Sequence, residues 1–264
     1  MDVLKRNNVT VMGQGQQTLV LAHGFGCDQN IWRFVTPRFL ATHRLVLYDH
    51  VGAGGSQLTA YSPYKYGQLE GYADDLLDIC RALNLERVVG VGHSVGAMIT
   101  MLAAMQAPEC FERLVLVTPS PCYINEPGYV GGFERTELEE LLKLMDDDYQ
   151  HWTQVVAPLI VGNPAQPELW EELAASFCRT DPTIARQFAR VTFLSDNRSD
   201  LPRLRTPSLI LQCRDDLIAP PEVGHYLQQH LRGSQLVTLD ATGHCPHLSA
   251  PLATVAALED YLLD

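Results

Sequence analysis

Short apolar runs of strand type alternate with helical spacing through the first 118 residues. Residues 18–22 and 44–48 are β-rich apolar runs of the buried-strand kind. Residues 72–83 follow, with Leu76, Leu77, Ile79, Cys80 and Leu83 at helical spacing. The pattern then predicts a strand over 87–91, a helix over 95–106 and a strand over 114–118. Alternation of this sort implies βαβ crossovers and a mostly parallel sheet covered on both faces. It stops at Pro119: 137–146, 150–157, 168–179 and 182–193 all read as helices. It resumes with a strand at 208–213, a helix at 221–231, a strand at 235–239 and a helix at 251–263. The expectation is one α/β domain over 1–264, with a core of 1–120 and 205–264 and an inserted helical cap over about 121–204. Such a cap would cover the carboxyl ends of the strands, where open α/β sheets bind ligands.

The chain has 264 residues, 46% apolar and 19% charged, which suits a globular fold and argues against disorder, collagen or coiled coil. Its 19 basic and 31 acidic side chains give a net charge of −12, which disfavours nucleic acid and anionic membrane surfaces as partners. Residues 88–107 are apolar enough to suggest a membrane span, but Gly90, Gly92, His93, Ser94 and Gly96 break the stretch into strand, turn and helix. The seven cysteines include no CxxC pair and read as reduced thiols. With a polar N-terminus that lacks a secretory stretch, they point to a cytoplasmic protein.

Gly92-His93-Ser94-Val95-Gly96 is a GxSxG motif between a predicted strand and a predicted helix. In that context the serine sits on a strained turn that lifts its hydroxyl out of the sheet, and small flanking residues allow neighbouring chains to come close. A serine hydroxyl needs a base, and the base needs an orienting acid, in the chain order Ser, acid, His. Asp215 and Asp216 follow the strand over 208–213, and His244 follows the strand over 235–239. The acid in such loops commonly stands four residues before a proline, and Pro220 then favours Asp216 over Asp215. The expected catalytic residues are Ser94, Asp216 and His244. For the oxyanion hole the expected donors are the N–H of Val95, next after the serine, and that of Phe25 in the loop His23-Gly24-Phe25-Gly26. His244, Cys245 and His247 have no carboxylate or second cysteine at ligand spacing, so no metal is expected. Gly52-Ala53-Gly54-Gly55-Ser56 lacks phosphate-loop spacing and reads as a turn, and Asp146-Asp147-Asp148 reads as a solvated helix end. No cofactor is expected.

The segments HGFGCDQNIW (23–32), LYDHVGAG (47–54), LEGYADDLLDI (69–79), VGHSVGAM (91–98), PSPCYIN (119–125), GGFE (131–134), LQCRDDLIAP (211–220) and GHCPHLSAP (243–251) resemble the α/β-hydrolase superfamily. Within it they resemble the RsbQ-like group, which holds a bacterial stress-response regulator and the plant karrikin and strigolactone receptor hydrolases. The resemblance implies an α/β-hydrolase fold with a four-helix lid and hydrolysis of a small apolar ester-like ligand. It carries Ser94, Asp216, His244, Phe25 and Val95 to the same roles and implies a pocket lined by Phe25, Tyr123, Phe133, Trp152, Val156, Phe193 and Leu217. Val156 stands where the plant receptors usually carry a larger aromatic residue, so their ligand specificity is not carried over. The group also implies a second role, a small-molecule sensor or producer that acts on a partner phosphatase with a sensor domain.

Overall fold

The six strands expected of a buried α/β sheet and a seventh at its edge form one sheet in the order β1-β3-β2-β4-β5-β6-β7 in the computed structural model, which describes residues 2–263. The strands are β1 Thr10–Met12, β2 Gln17–Ala22, β3 His43–Tyr48, β4 Val88–His93, β5 Phe111–Val117, β6 Ser208–Asp215 and β7 Ser234–Thr242. All neighbours pair in parallel except β1, which runs antiparallel to β3. Every residue of β4 is buried, as befits a central parallel strand covered on both faces, where alternation gives way to a continuous apolar run.

The helices in chain order are α1 Val3–Arg6, α2 Thr36–Phe39, α3 Leu69–Ala82, α4 Val95–Gln106, α5 Arg135–Asp147, α6 Tyr149–Val161, α7 Pro167–Arg179, α8 Pro182–Phe193, α9 Pro221–His230, α10 Pro246–Ser249 and α11 Pro251–Leu263. The edge strand β1 has no counterpart in the sequence reading. Three half-exposed residues are too few to show a period, and this strand owes its existence to pairing with β3. The four-residue helices α1, α2 and α10 have no counterpart there either, being too short to show a helical period. The remaining strands and helices lie within a few residues of the expected ones, and the helix over 182–193 coincides with its predicted bounds.

The chain steps from β2 outward to β3 and then returns to lay β4 on the other side of β2. This reversal opens a crevice at the carboxyl ends of β2 and β4, the general ligand position of open α/β sheets. The apolar helix α4 leaves β4 at that point and is buried over most of its length, which rules out the membrane reading of this stretch. Among the described residues no helix is long and apolar enough to cross a membrane.

Between β5 and β6 the chain forms the four helices α5 to α8. Their starts are specified locally: a reciprocal capping box of Glu134 and Glu137 for α5, Asp148 for α6, Pro167 for α7 and Asp181 followed by Pro182 for α8. α5 packs on α6 and α8, and α6 packs on α7. Asp146 at the end of α5 pairs with Arg190, and the triple-aspartate run is a helix end as expected.

Candidate active site

Ser94 links the last residue of β4 to the first of α4 with φ 56° and ψ −124°. An L-residue with that backbone costs on the order of 1–3 kcal/mol and persists only where its surroundings hold it. Here the Ser94 N–H donates to Val117 O at 2.9 Å and Ser94 O accepts from Ala97 N–H at 2.9 Å. The flanking glycines are required by close approach. A Cβ on Gly92 would stand 2.4 Å from Gly96 O, and one on Gly96 would stand 2.4 Å from His23 O.

His244 lies just beyond β7 and is buried. Its Nδ1 lies 2.7 Å from Asp216 Oδ2 and its Nε2 lies 2.8 Å from Ser94 Oγ. The carboxylate accepts only, so Nδ1 carries the proton, and Nε2 accepts the serine hydroxyl hydrogen. Asp216 is buried, and its Oδ1 accepts the Ile218 and Ala219 N–H groups at 2.8 and 3.1 Å. Asp215 is exposed and contributes only its backbone carbonyl, which accepts from Gly243 N–H at 2.7 Å. The three side chains expected from chain order therefore meet, and the geometry takes Asp216 over Asp215.

The loop after β2 lies against the serine turn. A Cβ on Gly24 would come within 2.5 Å of His93 Nδ1 and 3.3 Å of Ser94 Cβ. His23 holds this loop: Nδ1–H donates to Gly24 O at 2.8 Å, Nε2 accepts His50 N–H at 3.0 Å, and His23 O accepts His50 Nε2–H at 2.9 Å. Burial lowers the pKa of both histidines, which keeps them neutral as this pattern requires. The Phe25 N–H makes no hydrogen bond among the described residues. Val95 opens α4, where backbone N–H groups have no partner within the helix.

The Phe25 ring meets Trp152 of α6 at 6.1 Å, Phe177 of α7 at 5.3 Å, and Phe188 and Phe193 of α8 at 5.5 and 5.7 Å between centroids. The four-helix segment thus touches the loop after β2. Beside it lies an apolar cavity of about 20 Å³, bounded by Phe133, Trp152, Val156, Phe193 and Ile218 together with leucines of α5 and α6. Four of the predicted pocket residues, Phe133, Trp152, Val156 and Phe193, line it. Phe25 and Tyr123 adjoin it through Phe193. Leu217 does not: it is 66% exposed, and its neighbour Ile218 faces the cavity instead. The turn made when Asp216 accepts two N–H groups directs successive side chains in opposite directions, a reversal that spacing does not reveal.

Three contacts at the site have no clear signal in the sequence. The Tyr123 hydroxyl lies 3.4 Å from Ser94 Oγ, and burial raises its pKa to about 12, so it stays protonated. His93 Nε2–H and Thr118 Oγ1–H donate to the carbonyl of His244 at 2.8 and 2.9 Å. His93 stands inside the GxSxG string, so the motif at least pointed to it, but Thr118 and Tyr123 are far from Ser94 and His244 along the chain. Cys27 and Cys245 are buried near the site, and burial raises both thiols, so neither competes with Ser94 as a nucleophile. Among the described residues no group of three His, Cys, Asp or Glu side chains is arranged to hold a metal ion.

Residues 19–258 match the model of the Alpha/beta hydrolase family. The chain is 39% identical to a protein of Arabidopsis thaliana named Strigolactone esterase D14, over 95% of this chain and 94% of that one. It is 37% identical to Karrikin insensitive 2 receptor CA of Petunia hybrida, over 97% and 95% of the two chains. A solved structure, the hydrolase olei00960 from Oleispira antarctica, superposes with a TM-score of 0.98 at 44% identity, covering 100% of this chain and 97% of that one. A strained serine at a strand-to-helix turn, a mostly parallel seven-stranded sheet and a family match over nearly the whole length agree: this chain belongs to the alpha/beta hydrolase family and is a hydrolase of the esterase kind.

Proposed function

We propose that the protein hydrolyses small apolar carboxylic esters through Ser94, His244 and Asp216. The observation that carries this reading is the continuous relay from Asp216 Oδ2 to His244 at 2.7 Å and from His244 to Ser94 Oγ at 2.8 Å, ending on a strained serine. Ser94 Oγ attacks the ester carbonyl while His244 Nε2 takes its proton. Asp216 stays ionised, holds the imidazole in orientation and stabilises its positive charge. The oxyanion accepts from the N–H groups of Val95 and Phe25, each worth on the order of 3–4 kcal/mol in the transition state. The carbon–oxygen bond to the alcohol then breaks, and His244 gives the alcohol its proton. Water attacks the ester formed on Ser94, again losing a proton to His244. The acid leaves and Ser94 regains its hydrogen, so one ester and one water become one acid and one alcohol.

We assign residues 1–120 and 205–264 to the catalytic core and about 121–204, which contains α5 to α8, to a cap over the site. The apolar cavity and the net charge of −12 favour short uncharged substrates, because an unpaired charge is costly to bury and anions are repelled at a distance. A cavity of about 20 Å³ holds about one water, so a substrate enters only as the surrounding helices yield. The seven free thiols fit a reducing, cytoplasmic setting.

The test is labelling with a small fluorophosphonate, with the modified residue mapped by mass spectrometry, and turnover of a short-chain aryl ester. Modification of Ser94 and loss of turnover in Ser94→Ala are expected. Undiminished turnover in that variant refutes the proposal. A second reading is favoured by the receptor named among the relatives: a ligand sensor in which slow hydrolysis accompanies a change in the cap that engages a protein partner, the RsbQ-like resemblance alone suggesting a phosphatase with a sensor domain as that partner. A ligand-induced rise in Tm at very low turnover would favour it.

A further inference from the structure

The backbone of His244 is tied to the four-helix segment as well as to the sheet. Its N–H donates to Ile160 O at 2.8 Å. Ile160 lies in the last turn of α6, where carbonyls have no donor within the helix, so the amide of His244 caps α6. Gly162 ends the helix with φ 61°, its N–H donating to Pro158 O at 2.8 Å. Gly243 has φ 90° and lies directly against this end. A Cβ on Gly243 would stand 1.7 Å from Val161 O, and one on Gly162 would stand 2.7 Å from Gly243 Cα. The two backbones touch with no side chain between them. The other ties of this loop run to the sheet side, from Gly243 N–H to Asp215 O and from His93 and Thr118 to His244 O.

The same helix α6 supplies Trp152, Val156 and Leu159 to the wall of the apolar cavity. An acyl group that enters so small a space presses on α6, and α6 ends on the peptide that carries the imidazole.

We infer that the C-terminal turn of α6 is a positioning element for His244, acting through the Ile160–His244 bond and the Gly162–Gly243 contact. Substrate seated against Trp152 and Val156 thereby sets the imidazole relative to Ser94. This inference rests on the hydrolytic role of His244 proposed above. A displacement of about 1 Å at such a group costs about a hundredfold in rate.

The test compares Gly162→Ala and Gly243→Ala with Gly128→Ala and Gly233→Ala in the full chain. All four glycines have positive φ, at 61°, 90°, 82° and 71°, so alanine meets similar backbone strain at each. An added Cβ at Gly128 or Gly233 meets nothing within 4 Å. The controls should keep kcat and KM for a short aryl ester within about twofold of wild type. Gly162→Ala should lower kcat about tenfold and Gly243→Ala about a hundredfold, with KM little changed. The low-field proton resonance of the Asp216–His244 hydrogen bond should shift or vanish in both. A merely structural role would lower Tm and leave that resonance in place. If Gly162→Ala keeps the resonance and the kcat of the controls, the inference is overturned; that variant also decides the question should Gly243→Ala fail to fold. Absence of wild-type turnover refutes the hydrolytic reading instead, and the resonance then still reports whether α6 positions the imidazole.

Discussion

Replacing Asp216 by asparagine leaves the shape of the side chain almost unchanged and removes one acceptor. In the native site Oδ1 accepts two backbone N–H groups and Oδ2 accepts His244 Nδ1–H. Asparagine has one oxygen, so one set of donors must face an NH₂. Turning the NH₂ toward Ile218 and Ala219 strands two buried N–H groups at about 1–3 kcal/mol each, about 2–6 kcal/mol together. Turning it toward the imidazole sacrifices one bond, so that orientation wins. The NH₂ then donates to Nδ1, which drives the imidazole proton to Nε2, where it points at Ser94 Oγ. The base can no longer take the serine proton. Loss of the correct tautomer in a triad of this kind lowers kcat about 10⁴-fold, or about 5 kcal/mol at 1.36 kcal/mol per decade. Stability should fall by only about 1 kcal/mol, a shift of about 2–4 °C in Tm for a chain of this size. The assay is kcat on a short-chain p-nitrophenyl ester, with Asp215→Asn as the comparison, since Asp215 contributes a backbone carbonyl that the substitution retains. A kcat for Asp216→Asn within tenfold of wild type, or an equal fall for Asp215→Asn, would refute the reasoning.

Tyr123→Phe removes a neutral hydrogen bond at 3.4 Å to Ser94 Oγ and little volume. At about 0.5–1.5 kcal/mol the fluorophosphonate labelling rate of Ser94 should fall about fivefold, and an unchanged rate would show that the hydroxyl is idle. Stability should also fall in acid through His247, which is fully buried with its pKa lowered to about 3, first by burial and then by His244 and Arg33. A histidine with a depressed folded pKa binds its proton more readily in the unfolded chain. Its contribution is therefore present above the unfolded value of about 6.5 and is lost as pH falls toward 3, at about 1.4 kcal/mol per pH unit. Urea unfolding at several pH values between 6 and 4 should give a shallower slope for His247→Gln than for wild type by that amount, whereas equal slopes would refute the assignment.

The order of strands and helices, the GxSxG turn and the sequence Ser, Asp, His were legible from residue order alone. Each is a local matter: the side-chain period of a strand or helix, the small residues that a sharp turn demands, and the position of loops at the carboxyl ends of strands. Even the choice between Asp215 and Asp216 had a local sign in the spacing to Pro220. What only the tertiary structure decided lies between segments far apart in the chain. β1 is a strand because β3 offers it an edge. Leu217 points to solvent and Ile218 to the cavity because the bonds to Asp216 turn the loop there. Tyr123 reaches Ser94, Thr118 holds the carbonyl of His244, and the end of α6 accepts its amide, through bonds that span between 29 and 126 residues of sequence. A periodicity records which face of an element is apolar. It carries no information on which buried polar group of a distant element will satisfy another, and that pairing is set only when the elements pack.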